Sequence, residues 1–190
     1  MVDFEDDIKE CVRTLQKGGV ILYPTETIWG LGCDAMNADA VERVFSLKQR
    51  PKEKSMIVLL ADARDVLQYV AAPPPDIIAI IEGFNRPTTV IYENALGFPD
   101  NVVSTDGSIA IRVTTDPFCK ALIKRFRRPI VSTSANISGT DSATVFSTID
   151  SAIIAGADYV VKYLRNDSQV NTPSRLVRIS DDGEIEVLRK

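Results

Sequence analysis

At 190 residues, with 45% hydrophobic and 25% charged side chains, the chain can bury one sizeable core but is short for two independent domains. Its net charge of -4 excludes a surface that grips nucleic acid everywhere, because sequence-independent affinity comes from cations neutralising phosphates. The absence of histidine excludes Ser-His-Asp and Cys-His hydrolases and most zinc enzymes, and Cys11, Cys33 and Cys119, odd in number and far apart, indicate neither a zinc site nor a disulfide framework.

The chain opens on MVDFEDDIKE, acidic where a secretory signal would be basic, and no apolar run reaches the ~18 residues of a membrane span, so a cytoplasmic protein is expected. Phe4, Ile8, Cys11, Val12 and Leu15 recur at helical spacing, and Gly18-Gly19 ends that helix. Residues 20–23 form a short apolar strand stopped by Pro24, with a polar tip at Thr25, Glu26 and Thr27 and a glycine turn at Gly30-Leu31-Gly32. Asn37 caps a second helix whose apolar face is Ala40, Val41, Val44, Phe45 and Leu47. That helix ends in a cationic segment, Lys48, Arg50, Lys52 and Lys54 around Pro51. Like charges so close repel unless paired or solvated, so the cluster fits a phosphate or carboxylate ligand or, equally, a plain solvated loop; Lys48 also suits the helix dipole.

A strand over 56–60 and a short helix to Tyr69 follow, then a break at Pro73-Pro74-Pro75 and another helix over 76–82. Residues 88–92 and 108–113 read as strands joined without a helix, hence antiparallel. Asp116-Pro117 opens a helix that ends in Arg125, Arg127 and Arg128, a basic run read as a solvated helix end. Residues 129–132 form a strand entering a polar loop over 133–142; a weak helix over 149–155, strands over 159–163 and 175–179, a turn at Asp181-Asp182-Gly183 and a last strand over 184–188 complete the chain. The fold class is α/β with a mixed sheet. Polar tips follow three strands, near Thr27, Arg112 and Ser132–Asn136, where open α/β sheets place ligands. Without histidine, catalysis here relies on positioning and electrostatics, with Mg2+ as the expected metal.

Several segments, taken together, resemble the YrdC-type L-threonylcarbamoyladenylate synthases: Pro24-Thr25-Glu26-Thr27-Ile28-Trp29-Gly30-Leu31-Gly32, the KxR of Lys48-Gln49-Arg50, Ser108-Ile109-Ala110-Ile111-Arg112, and the SxN of Ser134-Ala135-Asn136 followed by Ile137-Ser138-Gly139. The resemblance implies a single domain over 1–190, with a twisted open sheet and a concave, positively lined cavity. It implies a reaction joining L-threonine, bicarbonate and ATP, with Mg2+, into threonylcarbamoyl-AMP and pyrophosphate. The product would feed tRNA modification through a downstream threonylcarbamoyl transferase. Thr27, Arg112 and Ser132 would contact threonine. Arg50, Lys54, Ser108, Ser134, Asn136, Ser142 and Arg189 would line the ATP site, with Lys48 and Arg50 as catalytic cations at the triphosphate.

Three segments depart from the family pattern: Phe84-Asn85-Arg86-Pro87 stands for WPGP, Leu59 for a histidine of longer relatives, and Ser174-Arg175-Leu176-Val177-Arg178 for STxxD. A rival reading is a non-catalytic protein holding tRNA or double-stranded RNA in the same basic concavity, which needs phosphate contacts but no threonine pocket. As exposed cations, Lys48 and Arg50 are each expected to matter for activity but to contribute only about 0–1 kcal/mol to folding.

Overall fold

A computed structural model describes residues 4–51, 56–169, 171–180 and 183–190. Helix α1 (Glu5–Gln16) has Glu5, Asp6 and Asp7 in its first turn, where the helix dipole favours acids, and buries Ile8, Cys11 and Leu15. Gly18, at φ +73°, lets the chain turn off the helix. Strand β1 (Ile21–Tyr23) pairs antiparallel with β2 (Gly30–Gly32). The expected glycine turn is therefore itself a strand. Gly32 has to be small there: a Cβ would sit 2.6 Å from the Tyr23 ring and 2.8 Å from the Val131 carbonyl oxygen.

Helix α2 (Ala38–Lys48) is capped by Asn37, whose side chain accepts from Asp39 N and Ala40 N. Strand β3 (Ile57–Leu60) leads into a short 3-10 turn over Ala63–Asp65, α3 (Val66–Tyr69) and α4 (Ile77–Glu82). Strands β4 (Thr88–Tyr92) and β5 (Ile109–Val113) are antiparallel, as their helix-free connection predicts. Helix α5 (Pro117–Phe126) starts at Asp116, which accepts from Cys119 N, and buries Phe118, Cys119, Leu122, Ile123 and Phe126. Each large apolar side chain so buried contributes about 1.5–3 kcal/mol. Strand β6 (Ile130–Ser134) runs two residues further than its apolar pattern indicates, and α6 (Ser151–Gly156), β7 (Tyr159–Val160), β8 (Arg175–Ile179) and β9 (Ile185–Arg189) follow. The turn expected at Asp181-Asp182 lies outside the described residues.

The nine strands form one mixed sheet in the order β7-β1-β2-β6-β3-β5-β4-β8-β9, open at both ends. Its register brings the polar residues together. Ser132, Ile57 and Ala110 are cross-strand neighbours, and Gly30 lies opposite Ser134. Because alternate residues of a strand share a face, Arg112 and Ser134 come to the same side as Ser132.

Candidate active site

A cavity of about 190 Å³ opens on that face, lined by Thr27, Arg50, Arg112, Ser132, Ser134, Ser142 and Arg189, with Trp29, Met56 and Ile57 as apolar wall. Trp29 is buried against the Phe146 ring, 4.9 Å away between centroids, so it is a wall residue, as its size indicates. The inner end is built on strands and on the locked turn after β1. There the Thr25 hydroxyl donates to Ile28 O at 2.8 Å, accepts from Thr27 N at 3.1 Å and lies 2.9 Å from the Thr27 hydroxyl. Arg112 is only 4% exposed, and its Nε lies 3.2 Å from Glu26 Oε1 without forming an aligned hydrogen bond. The other Glu26 oxygen accepts from the Thr114 hydroxyl at 2.9 Å.

The outer end begins where α2 stops. Gln49 takes the left-handed conformation at φ 49°, and Arg50 N donates to Phe45 O, a helix-ending turn that sends residues 48 and 50 in opposite directions. Arg50 goes to the cavity, where burial lowers its pKa. Lys48 goes into the protein and is 1% exposed. Its Nζ donates to Ser134 O at 2.5 Å, Asn136 O at 2.6 Å and Asn136 Oδ1 at 3.4 Å, while its own carbonyl accepts from Ser138 N at 2.8 Å. Three acceptors suit an ammonium, yet burial and then the neighbouring Arg50 charge pull its pKa down to about 7.

The expectation of Lys48 as an exposed cation is corrected here. With Val41, Val44 and Phe45 it completes the i, i+3, i+4, i+7 stripe that α2 turns inward, so helical position outweighs charge. Lys48 is a joint between α2 and the loop after β6.

Asn136 also differs from its expected orientation. Its Nδ2 donates to Ile137 O at 3.0 Å and Thr140 O at 2.7 Å, so the amide closes the loop that carries Ser142. Ser108 is not among the cavity residues; its hydroxyl and backbone N–H donate to Asp106 Oδ1. Lys54 lies outside the described residues. Arg189 reaches the cavity rim from β9 by donating to Ser174 O at 2.9 Å, and the Ser174 and Thr89 hydroxyls are 2.8 Å apart.

Of the segments that depart from the family pattern, only Ser174 reaches the cavity. Arg175 stacks its guanidinium over the Phe84 ring, Arg178 lies 4.0 Å from Glu186, and Leu59 is wholly buried. Among the described residues no group of three or more Asp, Glu, Cys and His is placed to hold a metal ion.

A larger hollow, about 490 Å³, lies between the end of β3 and the end of α5, lined by Asp62, Arg64, Asp65, Lys124, Arg127 and Arg128. It holds none of the expected site residues. In the basic run beside it, Arg128 pairs with Asp34, and Arg125 pairs with Glu5 at the start of α1. The sequence places Thr25 and Glu26 at a polar strand tip and Ser174 in a departing segment without a site role for any of them; an acid flanked by two threonines at a strand exit is the readable signal for Glu26.

The Sua5/YciO/YrdC family model, described as telomere recombination, matches residues 13–190. A threonylcarbamoyl-AMP synthase of Xanthomonas campestris pv. campestris (strain B100) is 35% identical over 187 residues, covering 96% of this chain and 97% of that one. P. abyssi Sua5 complexed with L-threonine superposes with a TM-score of 0.83 at 23% identity, over 94% of this chain and 52% of that one. E. coli YciO gives a TM-score of 0.81 at 23% identity, over 97% of this chain and 89% of that one.

Proposed function

The chain belongs to the Sua5/YciO/YrdC family, and from that premise we propose that it is an L-threonylcarbamoyladenylate synthase, a nucleotidyltransferase making threonylcarbamoyl-AMP and pyrophosphate from L-threonine, bicarbonate and ATP. The observation that carries this reading is the meeting of the PTET turn, Arg112 of β5, Ser132 and Ser134 of β6, and Arg50 on one cavity wall. The identity to a full-length threonylcarbamoyl-AMP synthase supports it. The rival reading as a non-catalytic RNA binder is not favoured, since a small cavity walled by Thr27, Arg112 and Ser132 serves an amino acid and has no use in gripping a duplex.

The chemistry requires the gathering of three anionic reactants more than it requires a reactive side chain. Arg112, at the inner end, holds the threonine carboxylate, with the Thr27 and Ser132 hydroxyls beside it. The threonine amine adds to the carbon of bicarbonate, and loss of water leaves a carbamate. A carbamate oxygen then attacks the α-phosphorus of ATP, its new P–O bond replacing the bond to pyrophosphate, which departs with the electron pair. Arg50 and Arg189 offset the phosphate charge at the outer end, while Ser134 and Ser142 supply hydroxyls there. ATP would enter as its Mg2+ complex, the ion offsetting phosphate charge beside Arg50 and Arg189. The adenylate then passes to a transferase acting on tRNA, and the reaction is read as a cytoplasmic one.

The experiment is pyrophosphate release by the purified protein with each reactant omitted in turn. Release should require both L-threonine and bicarbonate. An undiminished rate without either one would overturn the reading.

A further inference from the structure

We propose that Glu26 is a positioning residue that holds Arg112 in place for the carboxylate of the amino-acid substrate. The inference rests on the functional reading above and deepens it at the inner end of the cavity.

Arg112 is a buried cation on the cavity wall, and Glu26 is the acid that faces it, 3.2 Å from Nε and itself largely shielded from water. Glu26 is not among the residues that line the cavity, and its carboxylate is held by a second partner besides Arg112. The Thr114 hydroxyl that donates to Oε2 belongs to a wholly buried residue just past the end of β5, whose N–H donates to Leu60 O at 3.0 Å and whose Oγ1 accepts from Asp116 N at 3.2 Å. Each Glu26 oxygen therefore has one task. One is fixed to the end of the sheet, and the other faces the guanidinium.

An arginine presents its donors as a rigid planar fork, so an acid held at Nε also fixes the direction of the two terminal nitrogens. The Nε–Glu26 contact is close but misaligned, as expected of a fork that settles fully only when a second carboxylate takes its front edge. The alternative role, in which Glu26 merely dilutes the Arg112 charge, makes the opposite prediction. Removing the acid would then leave a stronger cation and tighter carboxylate binding.

The sign of the effect decides between the two. Glu26→Gln keeps the shape and an oxygen for the Thr114 hydroxyl, but it turns an amide N–H toward the Arg112 Nε–H. L-threonine binding by calorimetry should weaken at least ~10-fold, with KM for L-threonine rising by a similar factor. KM for ATP should stay within ~3-fold, because Arg50 and Ser134 are untouched. Thr114→Val, which frees one Glu26 oxygen without altering charge, should weaken threonine binding in the same direction by a smaller factor, and covers the case in which the Glu26 variant does not fold. Unchanged or tighter L-threonine binding in either folded variant overturns the assignment of Glu26 alone. A wild-type protein that binds no L-threonine overturns the functional reading, and this inference with it.

Discussion

At the inner end of the cavity Thr27, Arg112 and Ser132 stand on strands or on a turn locked to one, and all three are buried. At the outer end Arg50 follows a helix terminus, Ser134 closes a strand, Ser142 sits in a loop and Arg189 lies on an edge strand, and none of them is buried. The difference teaches what each end can recognise. Fixed, desolvated groups discriminate by shape and hydrogen-bond geometry, as a small amino acid requires. Partly exposed cations and hydroxyls collect charge, as a triphosphate requires, and tolerate small displacements. Lys48 is the exception, a buried group serving the outer end, because it ties the loop after β6 to the helix that delivers Arg50.

The largest effect should come from breaking that exception. Lys48→Met keeps the stem but leaves Asn136 O and Asn136 Oδ1 without their donor, while Ser134 O keeps only the Asn136 N–H, at about 1–3 kcal/mol for each unmet buried acceptor, partly offset by no longer burying a charge. A net loss of about 2–4 kcal/mol, or roughly 5–15 °C in melting temperature, is expected by denaturation. Wild-type stability within ~0.5 kcal/mol would return Lys48 to the class of dispensable cations.

The pH dependence of that difference has a definite sign. Folded Lys48 titrates near 7 against an ordinary 10.5, so between those values the unfolded chain holds the extra proton. Stability conferred through Lys48 therefore rises with pH, by up to about 1.4 kcal/mol per unit. Above an ordinary thiol value of 9, Cys11, Cys33 and Cys119 act oppositely, since burial keeps their protons on in the folded state only. Between about pH 7 and 8.5 the gap between wild type and Lys48→Met should therefore change by about 1–2 kcal/mol in favour of wild type.

A smaller change at the same turn separates charge collection from architecture. Arg50→Ala should cost about 0–1 kcal/mol of stability. It should raise KM for ATP about 10–100-fold, the equivalent of one lost hydrogen bond to a charged group. Raising ionic strength should raise the wild-type KM for ATP more than that for L-threonine, because screening reaches the exposed end first. Equal salt dependence for both substrates would remove the distinction between the two ends.

Much of this division was legible in the sequence. The strand exits, the N-caps at Asn37 and Asp116 and the antiparallel pair β4 and β5 all follow from local pattern, because capping and periodicity are local physics. Three features were not. Gly30–Gly32 looks like a turn because glycines usually are, and only Tyr23 and Val131 pressing from both sides explain glycine in a strand. Lys48 looks exposed because its charge is read before its place on the α2 stripe. Asn136 looks like a ligand because it belongs to the SxN motif, yet its amide is occupied by loop carbonyls that no sequence spacing reveals.

The smallest expected effect is also the cleanest, because Ser134 serves the backbone joint and the cavity through different atoms. Its carbonyl oxygen accepts from Lys48, and its side chain lines the cavity. Ser134→Ala removes the hydroxyl and leaves the backbone joint intact, so stability should change by less than ~0.5 kcal/mol. Turnover should fall only about 2–10-fold, the worth of one neutral hydrogen bond. With no histidine in the chain to take its proton, the hydroxyl is not set up as a nucleophile, and the reaction as written needs none. Mass spectrometry of the protein quenched during turnover should show the unmodified mass. An adenylyl or threonylcarbamoyl adduct on Ser134, together with complete loss of activity in Ser134→Ala, would replace a site that works by gathering anions with one that works through a covalent intermediate.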